Sequence, residues 1–290
     1  MKIKMLFIIL FFPLYFHAQY FELGGSLGAS NYLGDLAPSG LKTSIGQTNW
    51  AKGIFVRYNI YDFFALRFDL TQGMISASDK FSKEGDSRKM RNLSFRSKIY
   101  EAAILGEINI LGFQPEGNHK PFSPYIFGGI AFFKFNPQAK LNNQWYDLQP
   151  LGTEGQGLAE HPEKYALTQF SIPLGAGLKI ALNKNFTMAF ECGTRKTSTD
   201  YLDDVSSSYP DLENLAIANG ELAAKLSWRY DELNEYATPP TQGSERGDPD
   251  DLDWYIFSKM TISYNFIDGK KKSRNGKKRK KKNSIKCPDF

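Results

Sequence analysis

QFSIPLGAGLKIALNKNFTMAFECGTRKT, residues 169–197, reads as two arms of alternating polarity joined by a turn. On the first arm Phe170, Ile172, Leu174, Ala176, Leu178 and Ile180 alternate with Gln169, Ser171, Pro173, Gly175, Gly177 and Lys179. After the turn at 182–185 the second arm sets Phe186, Met188, Phe190 and Cys192 against Thr187, Ala189, Glu191, Gly193 and Arg195. Successive side chains of a strand point to opposite faces, so each arm has one apolar face and one small, polar or charged face. Each arm is about ten residues, the length a tilted strand needs to cross a bilayer. In a soluble sandwich the apolar face would turn inward to a shared core. Here the opposite face carries glycine and ions, which suits the polar interior of a small transmembrane barrel.

The same period recurs along the chain. Phe21, Leu23, Gly25, Leu27 and Ala29 alternate with Glu22, Gly24, Ser26, Gly28 and Ser30; Ile54, Val56, Tyr58 and Ile60 oppose Gly53, Phe55, Arg57 and Asn59. Strands are predicted over 64–74, about 96–111, 122–135 and 254–266, where Trp254, Ile256, Met260, Ile262, Tyr264 and Phe266 share one face. In 122–135, apolar on both faces, Tyr125, Phe127, Ala131, Phe133 and Phe135 are assigned to lipid and Lys134 to the interior. Connections run long, short, long, medium, long, short, long: 31–49, 61–63, 75–94, 112–121, 136–168, 182–185 and 198–253. The last holds a helix-forming stretch with an apolar stripe at Leu212, Leu215, Leu222 and Leu226.

Eight strands with short turns at one end and long loops at the other describe an all-β, eight-stranded antiparallel up-and-down transmembrane β-barrel of the bacterial outer membrane, with long extracellular loops. A soluble eight-stranded barrel of lipocalin type would need the reverse sense of alternation. Residues 1–18 have two lysines, an apolar run from Met5 to Phe16 and Ala18 near the expected cut, the layout of a signal peptide for export. That run is shorter than the roughly 20 residues of a spanning helix. The barrel domain is expected over 19–269 and a basic periplasmic tail over 270–290.

The inward face is predicted to carry Glu22, Asp69, Glu101, Glu107 and Glu191 against Arg57, Arg67, Lys134, Lys179, Arg195 and Lys259. Eight strands leave an interior only wide enough for side chains. Near-balanced signs allow a paired filling, so a plugged barrel is expected rather than a channel.

Little points to catalysis, and no enzyme activity or cofactor is expected. GGSLG, 24–28, matches G-x-S-x-G, but no strand-to-helix turn follows it. Of the three histidines, His17 leaves with the signal peptide, His119 falls in a turn, and only His161 could join a surface site with Asp203 and Asp204. The acidic run at 248–253 lacks the spacing and central glycine of a calcium loop. Cys192 on an apolar strand face and Cys287 in the tail argue against a disulfide framework.

The tail holds 11 of the 36 Lys and Arg and one of the 31 Asp and Glu, so it is +10 and the remaining 269 residues are −5. A periplasmic tail excludes nucleic acid as partner. Lys270, Lys271, Lys272, Arg274, Lys277, Lys278, Arg279, Lys280, Lys281 and Lys282 are candidates for contact with an acidic protein or with anionic outer-membrane lipid.

The segments SNYLGDL (30–36), SPYIFGGIAFFKFNPQA (123–139), WYDLQPLGTEGQG (145–157), SIPLGAGLK (171–179), RKTSTDYLDDVS (195–206) and DWYIFSKMTISYNF (253–266) together resemble PorG-type proteins of Bacteroidota. The resemblance spans nearly all of the mature chain. It implies an outer-membrane barrel of the type IX protein secretion system, associated with a periplasmic ring of the PorK lipoprotein and PorN, called GldK and GldN in bacteria with gliding motility. It brings no catalytic residue. A surface-acting adhesin or hydrolase working through the long loops is the alternative.

Overall fold

The computed structural model describes residues 20–37, 46–82, 87–115, 120–158 and 161–267. The expected signal peptide, 1–18, and the basic tail with Cys287 lie outside them. In chain order the strands are β1 (Tyr20–Leu33), β2 (Asn49–Tyr61), β3 (Phe64–Ser78), β4 (Ser94–Asn109), β5 (Phe122–Lys134), a short hairpin of β6 (Pro137–Leu141) and β7 (Gln144–Asp147), then β8 (Thr168–Ala181), β9 (Phe186–Thr197) and β10 (Trp254–Phe266). Among the described residues eight of them form the barrel, each antiparallel to its neighbours. β1 pairs with β10 from Phe21 opposite Phe266 to Leu33 opposite Trp254, which closes the sheet and leaves no edge for lipid to meet.

Every barrel strand turns large apolar side chains outward, among them Leu23, Ile54, Phe68, Ile104, Ile130, Leu174, Phe190 and Ile262. A continuous belt of this kind on all sides is incompatible with water and marks a lipid-facing wall. The soluble-barrel alternative fails on the sense of the alternation.

Short turns close one end. Asn183 accepts from the backbone N–H groups of Asn185 and Phe186 at 2.8 and 2.9 Å, an Asx turn between β8 and β9. In the medium connection the Phe113 N–H bonds the Asp62 carbonyl at 2.7 Å and its ring is buried against the lumen. This end of the barrel is stoppered.

At the loop end the strands run on past the lipid belt. The β3–β4 ladder extends to Ser78 opposite Ser94, so the expected connection 75–94 shrinks to residues 79–93. There the alternation changes sense. Ile75, Ala77, Phe95, Phe133, Tyr255 and Phe257 point inward into an apolar core shared with Leu202 and Val205 from the last loop. Polar side chains point out to water. Basic residues stand by tryptophans around this outer rim: Lys52 lies 5.4 Å from the Trp50 ring centre, Arg96 3.5 Å from Trp145 and Lys196 5.7 Å from Trp254. Aromatic and basic side chains gather where a membrane meets water.

The expected loop 136–168 begins instead with the β6–β7 hairpin, which pairs with β4 at Arg96 and Ser97. The predicted helical stretch folds as two helices, α1 (Leu212–Asn219) and α2 (Glu221–Ser227), separated by Gly220. Asp211 caps the first by accepting from the N–H groups of Glu213 and Asn214. Leu215 and Leu226 of the predicted stripe are buried, the latter against Ala139 and Leu148 of the hairpin loop.

Candidate functional site

The barrel wall directs ten of the predicted interior charges into the lumen, eight of them joined in one cross-braced network and the other two, Arg195 and Glu101, forming a separate pair. Arg57 reaches Glu22 at 2.6 Å and Glu107 at 2.9 Å; Arg67 reaches Glu107 at 3.1 Å and Glu191 at 2.7 Å. Lys179 donates to Glu107 and, at 2.9 Å, to Asn109. Nearer the loops, Lys259 pairs with Asp69 at 3.0 Å and Arg195 with Glu101 at 3.1 Å. Tyrosines complete the carboxylates: Tyr125 donates to Glu191 and Tyr255 to Glu101, each at 2.7 Å. Buried charges are tolerated when paired with opposite charge in this way, here by hydrogen bonds at most contacts and by charge alone between Glu107 and the two arginines.

Lys134 is the exception and corrects the predicted register of β5. Its side chain is exposed, while Tyr125, Phe127, Ala131, Phe133 and Phe135 are buried in the lumen. Two causes act. Lys134 ends β5 beyond the lipid belt, where the outward face meets water. The inner faces of β8 and β9 also carry Gly175, Gly177 and Gly193, and the empty space over them is taken by the Phe127 and Tyr125 rings. With Lys134 outside, the set inside balances at five acidic and five basic residues. The rings also face the cations: Arg67 lies 5.4 Å from the Phe127 ring centre and Arg195 4.6 Å from that of Phe257.

Over the loop-side mouth, residues distant in sequence knit into a cap. Arg246 donates to Glu154 at 2.7 Å, to the Asp204 carbonyl at 2.6 Å and to the Ser227 carbonyl at 3.2 Å. Glu154 also accepts from the N–H groups of Ser206 and Ser207 and from the Ser207 hydroxyl. Asp204 accepts from Thr153 and Tyr165. Gly155 and Gly157 hold φ of 84° and 85°, the left-handed turns that bring Glu154 to these partners. The segments 145–157 and 195–206 of the PorG resemblance are thus two halves of one folded unit.

Beneath the cap the Tyr32 hydroxyl lies 2.7 Å from Asp203 Oδ2 and 2.6 Å from Asp253 Oδ1. A hydroxyl has one proton to donate. One of the two carboxyls must therefore be protonated and donate to the tyrosine oxygen. Their other oxygens accept from the N–H groups of Val205 and Leu202. Burial, with the neighbouring carboxylates, raises the pKa of both acids. Burial also pushes Asp35 and Asp204 up to about 6, against about 3.9 for aspartate in an unfolded chain.

The folded cap therefore binds protons that unfolded loops release. The contribution of these carboxyls to its stability is fully present below about pH 4 and is lost as pH rises through about 6 and beyond. Hydrogen-exchange protection factors of residues 199–207 should drop between pH 5 and pH 8. A cap better protected at pH 8 would contradict this protonation pattern.

The sequence candidates for chemistry are not assembled. The His161 ring packs on Gly155, whereas Asp203 and Asp204 are held by the contacts above. Ser26 of GGSLG lies mid-strand and buried. Asp253 is buried on Tyr32 rather than solvated, and no His, Cys, Asp and Glu group among the described residues is arranged for a metal. Cys192 faces outward and takes a hydrogen bond from Ser258 at 3.3 Å. Sequence spacing gave no sign of Arg246, whose partners lie 42 and 92 residues away.

Similar solved structures include the attachment invasion locus protein Ail of Yersinia pestis, 10% identical over 86% of this chain and 100% of that one, with a TM-score of 0.41. Neisserial surface protein A is 9% identical over 85% and 97%, TM-score 0.38, and the outer membrane protein OprG of Pseudomonas aeruginosa 11% over 87% and 98%, TM-score 0.37. No curated protein matches the sequence. A family profile described as a domain of unknown function, DUF6089, matches residues 1–228.

Proposed function

The chain belongs to the DUF6089 family, and we propose that it is a noncatalytic outer-membrane subunit of the type IX protein secretion system, a filled barrel that anchors or positions the periplasmic ring at the membrane. The observation that carries this reading is the lumen. Paired charges fill its centre, Phe113 stoppers the turn end and the cap covers the loop end. A barrel sealed at both ends suits an anchor better than a pore. The resemblance to PorG-type proteins supplies the partners: a PorK- or GldK-like lipoprotein and a PorN- or GldN-like ring protein. The turn side would face them, with the basic tail as an electrostatic tether.

Two measurements test it. A mild-detergent pull-down of the tagged protein from its own outer membranes should recover the lipoprotein and the ring protein, and charge reversal of Lys277 to Lys282 should weaken that recovery. Planar bilayers containing the purified barrel should show no porin-sized conductance steps. Recovery of the barrel alone would sink the anchoring role, and open-pore conductance would sink the filled barrel.

The surface-acting alternative has one observation in its favour, a cleft of about 730 Å³ in the cap lined in part by Trp228, Tyr230 and Tyr236. Capture of a surface ligand lost on Trp228→Ala, with no ring protein recovered, would favour it.

A further inference from the structure

A notch interrupts the apolar outer wall on β1, β2 and β3. Its floor is Gly25, an outward position of β1 that stands opposite Ile54 of β2 and Ile262 of β10. A Cβ added there would meet nothing nearer than the Gly53 carbonyl oxygen at 3.8 Å, so the space above Gly25 is open. Leu27, Ile54, Leu70 and Ile262 wall a cleft of about 780 Å³ over it.

The cleft changes character toward the loops. Lys52, Gln72 and Tyr100 stand side by side in register across β2, β3 and β4, all on its lining, and Gln72 donates to the Tyr100 hydroxyl at 3.1 Å. Lys52 lies beside Trp50 at the rim where the other basic and tryptophan side chains gather. Glu101 touches the cleft from the lumen side, but it is paired with Arg195 and does not neutralise Lys52.

An apolar furrow leading to a cation and hydrogen-bonding groups at the membrane–water boundary has the polarity of a single lipid. We propose that this notch holds one membrane lipid, an acyl chain lying over Gly25 and an anionic phosphate head group at Lys52. Charge complementarity selects the head group, because a basic side chain at this height favours anionic lipid by about fivefold. The outward glycines Gly106 and Gly128 are partly covered by the Phe64 and Leu174 side chains, whereas no side chain comes within 4 Å of the position over Gly25. The inference rests on the membrane reading above.

The test uses the full-length protein in nanodiscs of equal phosphatidylglycerol and phosphatidylcholine, released into mild detergent for native mass spectrometry. The unchanged protein should retain one phosphatidylglycerol in preference to phosphatidylcholine. Lys52→Gln, at an exposed side chain, should reduce that preference about fivefold. Gly25→Leu, which fills the notch, should abolish retention of both lipids. Heat-modifiable migration on gels reports insertion of each variant separately. If Gly25→Leu does not insert, the comparison at Lys52 still decides. An inserted barrel with no preference, equal retention by parent and both variants, or a dimer in place of the lipid adduct would overturn the inference. Failure of the unchanged protein to enter the bilayer would overturn the membrane reading itself.

Discussion

Replacing Glu107 with glutamine should destabilise the barrel by about 3–5 kcal/mol. Glu107 is fully buried and is shared by Arg57, Arg67 and Lys179, so its charge is the hub of the turn-side half of the network. Glutamine keeps the size and one acceptor but leaves excess positive charge sealed among apolar walls, where water cannot screen it. Glu22 and Glu191 remain on Arg57 and Arg67, which softens the loss without removing it. Urea titration of the detergent-refolded protein, followed by heat-modifiable gel migration, measures the difference. Lys134→Gln is the control: on the outer surface it should shift the midpoint by less than about 0.5 kcal/mol. A Glu107→Gln variant as stable as Lys134→Gln would mean that the interior charges are solvated and the lumen open.

Arg246→Ala should release the cap while leaving the barrel standing. The guanidinium ties Glu154, the Asp204 carbonyl and the Ser227 carbonyl, which belong to three separate stretches of loop. Without it Glu154 stays buried with only neutral donors from Ser206 and Ser207. Loss of a buried partner of this kind costs about 3 kcal/mol, so protection of the Ser206 and Ser207 amides should fall on the order of 100-fold. Amides of the β1–β10 ladder should keep theirs, because the ladder does not depend on the cap for its hydrogen bonds. Equal loss in ladder and cap would make them one cooperative unit, and no loss in either would remove Arg246 from its assigned role.

The transmembrane part of the fold is legible because period two survives through every lipid-facing segment, from Phe21 to Phe266. The register of β5 is not, since SPYIFGGIAFFKF is apolar on both faces and Lys134 invites the wrong choice. A signal existed in the glycines of β8 and β9: an inner face without side chains requires a neighbour to supply bulk, and β5 is that neighbour. The loop-side extension of β3 is hidden in the sequence for a related reason. Ile75 and Ala77 continue the alternation but in the sense proper to water, so the strand reads as finished where only the solvent has changed. The cap was beyond local reading. Tyr32 and Asp253 are 221 residues apart, and Arg246 and Glu154 are 92 apart. Motif similarity did mark both 145–157 and 195–206, although nothing in their spacing says that they touch.

The network in the lumen also constrains how the barrel can be made. Arg67 and Glu191 are separated by 124 positions, and Glu22 and Ser263 by 241. Were strands to enter the bilayer one after another from the N-terminus, Arg57 would already have Glu22 and Glu107, but Asp69 and Glu101 would arrive in hydrocarbon before Lys259 and Arg195 existed to meet them. Burying charges short of their partners is costly. Completing these pairs therefore favours bringing the first and last strands together before the lumen is sealed from water. Contacts of such long range form slowly. The paired ions thereby couple the filling of the lumen to closure of the barrel, which only a finished chain can reach.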